Sequence, residues 1–187
     1  MNSDRSRAVA FASSVSIRVH PRANAFLSGL LALLLTTTAA ALDVGEAAPA
    51  FALPSRDGTT VSLAEHAGSV VLVDFWASWC GPCLQSMPFL DQLQKKLGPD
   101  GFVVLGVNLD EVREEADRFL AAHPVDFRIV FDPESRVPPA YGMRAMPSSY
   151  VVGRDGKVRA VHLGFRRDDA AKIEAEVRDA LKERAVP

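Results

Sequence analysis

The sequence predicts an α/β domain in which helices pack on a mixed central sheet, and three observations carry that prediction. Residues 70–75 (Val70-Val71-Leu72-Val73-Asp74-Phe75) and 102–107 (Phe102-Val103-Val104-Leu105-Gly106-Val107) are near-continuous apolar runs of strand length, the pattern of strands buried on both faces. Between them Leu84, Met87, Leu90, Leu93 and Leu97 recur at helical spacing, and strand–helix–strand is a parallel crossover unit. Near the end, Gly153-Arg154-Asp155-Gly156 separates two further strand-like segments. Asp-Gly tolerates positive φ, so this reads as a hairpin and makes the sheet mixed.

The elements follow in chain order. Phe51–Leu53 and Thr60–Leu63 flank Ser55-Arg56-Asp57-Gly58, which predicts an N-terminal β-hairpin. A helix is expected over 82–97 and a second over 111–122, halted by His123-Pro124. A short strand over 127–131, a turn at Asp132-Pro133 and a brief helix near Tyr141 come next. The strands 149–152 and 157–163 form the second hairpin. A final helix over 168–184 carries Ile173, Val177 and Leu181 one turn apart.

The chain has 187 residues with 21 basic and 23 acidic side chains, and 48% of it is hydrophobic. That composition excludes a disordered chain. The length supports a core without disulfide staples, and a net charge of −2 leaves no basic footprint for nucleic acid. The first 41 residues differ from the rest. Arg5, Arg7, Arg18 and Arg22 precede an uncharged stretch from Ala23 to Leu42, which ends in Ala39-Ala40-Ala41, the small-residue form that signal peptidase accepts. Residues 1–41 are therefore expected to be a secretory signal peptide, and residues 42–187 the exported, mildly acidic domain. The competing reading is an uncleaved anchor, since 20 uncharged residues can just span a bilayer; only then would the protein be attached to a membrane.

Both cysteines lie in Trp79-Cys80-Gly81-Pro82-Cys83, where the first buried strand gives way to a helix. A structural staple over two intervening residues would close almost no loop and remove little unfolded-chain entropy. Zinc would need further ligands, and His66, His123 and His162 are each isolated; they read as surface or packing residues. A redox pair has a physical rationale. At a helix N-terminus, free N–H groups and the macrodipole favour an anion, and the thiolate is the attacking species. Cys80 is thus the expected nucleophile. Gly81 leaves room for an incoming disulfide. Pro82 starts the helix at no cost in hydrogen bonds. Cys83, one turn on and shielded, is placed to resolve the mixed disulfide.

The segment 73–83 closely resembles the active-site segment of thioredoxins, and Pro88 matches their helix-kinking proline. Tyr141-Gly142-Met143-Arg144-Ala145-Met146-Pro147-Ser148 resembles the thioredoxin loop bearing a cis-proline. The resemblance implies a thioredoxin fold with a cis Met146-Pro147 bond. It would set the Met146 backbone beside Cys80, free to pair in β-fashion with a substrate strand. It also assigns Asp74 as the buried acid beneath Cys83, where burial raises a carboxyl pKa and fits it for proton exchange with the thiol. Trp79 either shields the site or simply packs.

The 31 residues from Asp110 to Tyr141 leave room for an extra helix and strand. With the export signal and the N-terminal hairpin, this resembles the TlpA/ResA-like thiol–disulfide oxidoreductases of bacterial envelopes, over residues 44–184. ResA-like proteins carry Cys-Glu-Pro-Cys, a Glu where this chain has Ser86, and commonly Asn where it has Asp74. These departures weigh against a narrow assignment to cytochrome c biogenesis and give the proton-handling acid to the strand. The family implies disulfide-bearing client proteins, an electron donor of DsbD type in the membrane, a periplasmic or otherwise extracytoplasmic location, and no organic cofactor or metal. Gly-Pro between the cysteines resembles the reductants of the family. Two alternatives stand beside this reading. One is a copper chaperone using the same thiols. The other is a peroxiredoxin-like peroxidase, although 75–80 lacks the Pro-x-x-x-Thr-x-x-Cys pattern.

Overall fold

The structure, a computed structural model, describes residues 42–183. The expected signal peptide of residues 1–41 lies outside the described residues. Two strands, β1 (Ala52–Pro54) and β2 (Thr60–Ser62), form the expected antiparallel hairpin. A short 3₁₀ turn follows at Leu63–His66. The chain then enters β3 (Val70–Trp76), α1 (Cys83–Leu97), β4 (Phe102–Asn108), α2 (Arg113–Ala122) and β5 (Arg128–Phe131). It closes with β6 (Ser148–Val152), β7 (Val158–Leu163) and α3 (Ala170–Lys182).

The central sheet has the order β5-β4-β3-β6-β7. β3–β4 and β4–β5 pair in parallel, whereas β3–β6 and β6–β7 are antiparallel. Every residue of β3 is buried, Asp74 included, as a near-continuous apolar run requires of a central strand. The expected extra helix and strand form as α2 and β5 between Asp110 and Tyr141, and β5 becomes an edge. No helix forms near Tyr141. Pro138 and Pro139 lack N–H groups, and the segment makes only turns, with Gly142 N–H donating to Pro139 O and Met143 N–H to Pro138 O.

Alternation along β3 divides the core into two layers. Val70, Leu72 and Trp76 pack with Cys83, Met87 and Leu90 of α1 and with Ile173 and Val177 of α3. Val71, Val73 and Phe75 pack with Phe51, Leu53 and Val61 of the hairpin and with Tyr141 and Tyr150. In α3, Ala180 takes the fully buried place and Leu181 is only partly covered. The N-terminal segment runs from one side of the sheet to the other. Ala47 bridges to Lys157, Val158 N–H donates to Glu46 O, and Ser55 bridges to Val130 on β5. Among the described residues, no helix is long and apolar enough to cross a membrane.

Candidate redox site

The site forms where β3 ends. A tight turn over 80–82 leads into α1, whose first residue is Cys83 and whose preceding residue, Pro82, already has helical angles (φ −61°, ψ −26°). Cys80 and Cys83 are joined by a disulfide, with Cα atoms 5.3 Å apart. Cys83 N–H is shared between Cys80 O at 3.1 Å and the Cys80 sulfur at 3.3 Å, so a helix-terminal donor reaches the atom that becomes a thiolate on reduction. Cys80 is 4% exposed and Cys83 fully buried. Access therefore favours Cys80, as the sequence expects. Gly81 and Pro82 flank the disulfide, and nothing lies within 4 Å of where a Gly81 Cβ would stand. Pro88 lies inside α1.

The loop before Cys80 is held by a network that the sequence reading did not pick out. Buried Asp110 accepts hydrogen bonds from Ser78 N–H (3.0 Å), Ser78 Oγ (2.9 Å) and Asn108 Nδ2 (2.7 Å). These residues tie the end of β4 to the chain two residues before the nucleophile. The only signal for them in sequence is a pair of polar side chains, Asn108 and Asp110, closing an apolar strand.

Asp74 is completely buried on the face of β3 that packs against α1, the face to which Cys83 belongs. Its Oδ1 accepts a hydrogen bond from Ser149 Oγ at 2.6 Å. Its Oδ2 has no partner among the described residues. Loss of water outweighs the single hydrogen bond, and the carboxyl is pushed up from 3.8 to about 7. Ser86 is buried and its hydroxyl donates to Cys83 O.

The Met146–Pro147 peptide bond is cis, as the resemblance implies. Gly164 N–H caps Pro147 O and Ser148 Oγ donates to Ala145 O, fixing the loop. Trp79 is 68% exposed, so it does not pack into the core. With Val112, Met143, Met146, Glu111 and Glu115 it lines a groove beside the disulfide. Of the sequence-predicted site residues, Trp79 and Met146 thus meet in one groove, and Gly81, Pro82 and Pro147 do not line it. No cluster of three or more His, Cys, Asp or Glu able to hold a metal occurs among the described residues.

The redoxin family model matches residues 43–180. The chain belongs to the redoxin family. This redoxin is 31% identical over 140 residues to the thiol-disulfide oxidoreductase ResA of Geobacillus thermodenitrificans, spanning 75% of this chain and 80% of ResA. It is 32% identical over 120 residues to ResA of Halalkalibacterium halodurans, spanning 64% and 68%. Among solved structures it is similar to a protein assigned as the thiol:disulfide interchange protein DsbE from Chlorobium tepidum. That match has a TM-score of 0.74 and 47% identity, and covers 75% of this chain and 99% of the other. It also resembles the thioredoxin domain of a Bacteroides vulgatus thiol-disulfide oxidoreductase, with a TM-score of 0.67, 28% identity and coverage of 73% and 99%. The protein is a thioredoxin-fold thiol–disulfide oxidoreductase of ResA/DsbE type, and such an enzyme acts on disulfide-bearing protein clients.

Proposed function

We propose that this redoxin is an exported reductase that opens disulfides of envelope client proteins by dithiol exchange. The observation that carries the reading is the Cys83 N–H that reaches Cys80 Sγ, at the start of a helix that buries the second cysteine. In this reading the Cys80 thiolate attacks a client disulfide, forming a mixed disulfide and releasing one client thiolate. Cys83 gives its proton to Asp74 and attacks Cys80. The Cys80–Cys83 bond forms, the second client thiolate leaves, and two electrons have passed to the client. Trp79 and Met146 line the groove assigned to the client strand, and Gly81, Pro82 and Pro147 are assigned to the approach to the disulfide. The cationic start, apolar run and Ala-rich end of residues 1–41 support export to the periplasm or another extracytoplasmic space, with 42–187 as the working domain. A reductase there needs electrons delivered across the membrane, which supports a donor of DsbD type.

The test is the reduction potential of the full-length chain, equilibrated against glutathione and read from thiol-labelled mass. A value close to thioredoxin's ~−270 mV is expected; a value near the ~−120 mV of DsbA would make the protein an oxidant and overturn the direction of transfer. A Cys83→Ser chain, able to attack but not to resolve, is expected to accumulate mixed disulfides with its clients.

A further inference from the structure

Asp74 is sealed from solvent, yet a proton that it takes from a thiol must equilibrate with water for the site to follow ambient pH. The sheet leaves one direction open. On the β4 side its register partner is Gly106, which offers no side chain. A Cβ there would stand 2.8 Å from Ile129 Cδ1, 2.9 Å from Phe127 Cε2 and 3.2 Å from Trp76 Nε1, an indole N–H with no partner among the described residues; an indole N–H donates but takes up no proton, so that side offers no relay. On the β6 side the partner is Ser149, and the partner of Ser149 on β7 is His162. Directly opposed residues of an antiparallel pair share a face, with Cβ atoms about 4.5–5.5 Å apart. His162 is 9% exposed, and its Nε2 lies 2.6 Å from Glu176 Oε2 on α3. Glu176 is about one-third exposed, and its other oxygen is 3.9 Å from Lys172 Nζ. Aspartate, hydroxyl, imidazole and carboxylate thus form one row across the sheet, from beneath Cys83 to the surface of α3. Such a row is costly to bury beside Leu72, Val151 and Ala160.

We propose that Ser149, His162 and Glu176 are the proton path between Asp74 and solvent. This rests on the reading of Asp74 as the proton acceptor of Cys83. In discharge, Asp74 passes its proton to Ser149 Oγ as the Ser149 hydroxyl proton moves to one ring nitrogen of His162 and the other ring nitrogen gives its proton to the Glu176 carboxylate, which releases it to water. No electron moves; Asp74 is left ionised, and His162 is left in its other tautomer until the row reorients or is recharged. Recharging runs the same steps in reverse. Ser149 and His162 act through Asp74 and are positioning residues for the reaction.

The experiment is a pH jump on the oxidised full-length chain, following the infrared C=O band of protonated Asp74, identified by its loss in Asp74→Asn. Ser149→Ala and His162→Ala are expected to slow the relaxation about tenfold. Ser149→Thr, which keeps a hydroxyl, restores it, and added imidazole, entering the space the His162 ring leaves, re-accelerates His162→Ala. Glu176→Gln gives a smaller slowing and serves if His162→Ala does not fold. Relaxation as fast as wild type in these variants, or slowing that imidazole does not touch, overturns the path. If instead Asp74→Asn leaves single-turnover client reduction unchanged from pH 6 to 9, the acceptor reading of Asp74 fails, whatever the relaxations show.

Discussion

Ser149 donates its hydroxyl hydrogen across the β3–β6 ladder to Asp74 at 2.6 Å, and among the described residues this is the one hydrogen bond the buried carboxylate receives. One bond does not replace the water that an ionised carboxylate loses, so the protonated form is favoured in the fold. The group's ordinary value is 3.8, and in the fold it is raised to about 7. The folded state therefore holds the extra proton between those values, and its stability falls as pH rises from about 4 to about 7. The gap corresponds to roughly 4 kcal/mol. Asp74→Asn removes the titration but places an amide N–H where Oδ2 has no partner, at about 1–3 kcal/mol. The expected result is a flatter profile and a variant about 2 kcal/mol more stable than wild type at pH 8. Urea denaturation of the oxidised proteins at pH 5 and pH 8 measures it.

Gly106 is where β4 must pass close to Ile129, Phe127 and Trp76. The nearest contact for an added methyl is a flexible Ile terminus, but the second is a ring held in the core. Gly106→Ala is expected to cost about 1–3 kcal/mol by overpacking, seen as a lower denaturation midpoint with an unchanged m-value.

Asp110→Ala leaves the Ser78 N–H, the Ser78 hydroxyl and the Asn108 amide without their acceptor. Buried donors stripped of a partner cost about 1–3 kcal/mol each, less what water recovers. A loss of about 3 kcal/mol is expected, together with slower reduction of a model disulfide, because the freed loop leads directly to Cys80.

Trp79 is exposed in the groove and supports no core contact. Trp79→Ala is expected to change stability by less than about 0.5 kcal/mol. It should raise KM for a protein client about fivefold, the loss of one interfacial aromatic anchor, with kcat little changed. Steady-state reduction of a protein disulfide separates the two constants.

Much of this was legible in the sequence, for reasons tied to particular residues. The runs at 70–75 and 102–107 have no other comfortable home than a sheet buried on both faces, and Leu84 to Leu97 marks α1 by period. Cys80, Cys83, Asp74 and Pro147 belong to contiguous motifs, so each could be read where it stands. Ser149, His162 and Asp110 could not. Their partners lie 75, 14 and 32 residues away, and which of them meet is decided by strand register rather than local pattern. The helix expected near Tyr141 does not form because Pro138 and Pro139 remove two backbone donors, and only turn bonds remain. His162 reads as a packing residue until Glu176 arrives from α3.

The lacing of residues 45–55 across the sheet has a temporal meaning as well as a spatial one. Ala47 finds its bridge about 110 residues further along, at Lys157, and Ser55 finds its own at Val130. A chain made from its N-terminus exposes this stretch first and satisfies it late. Contacts of such long sequence separation are closed slowly, and until they close the outer strands β5 and β7 offer open hydrogen-bonding rims to any neighbouring chain. This N-terminal stretch of the domain thus acts as its last fastening.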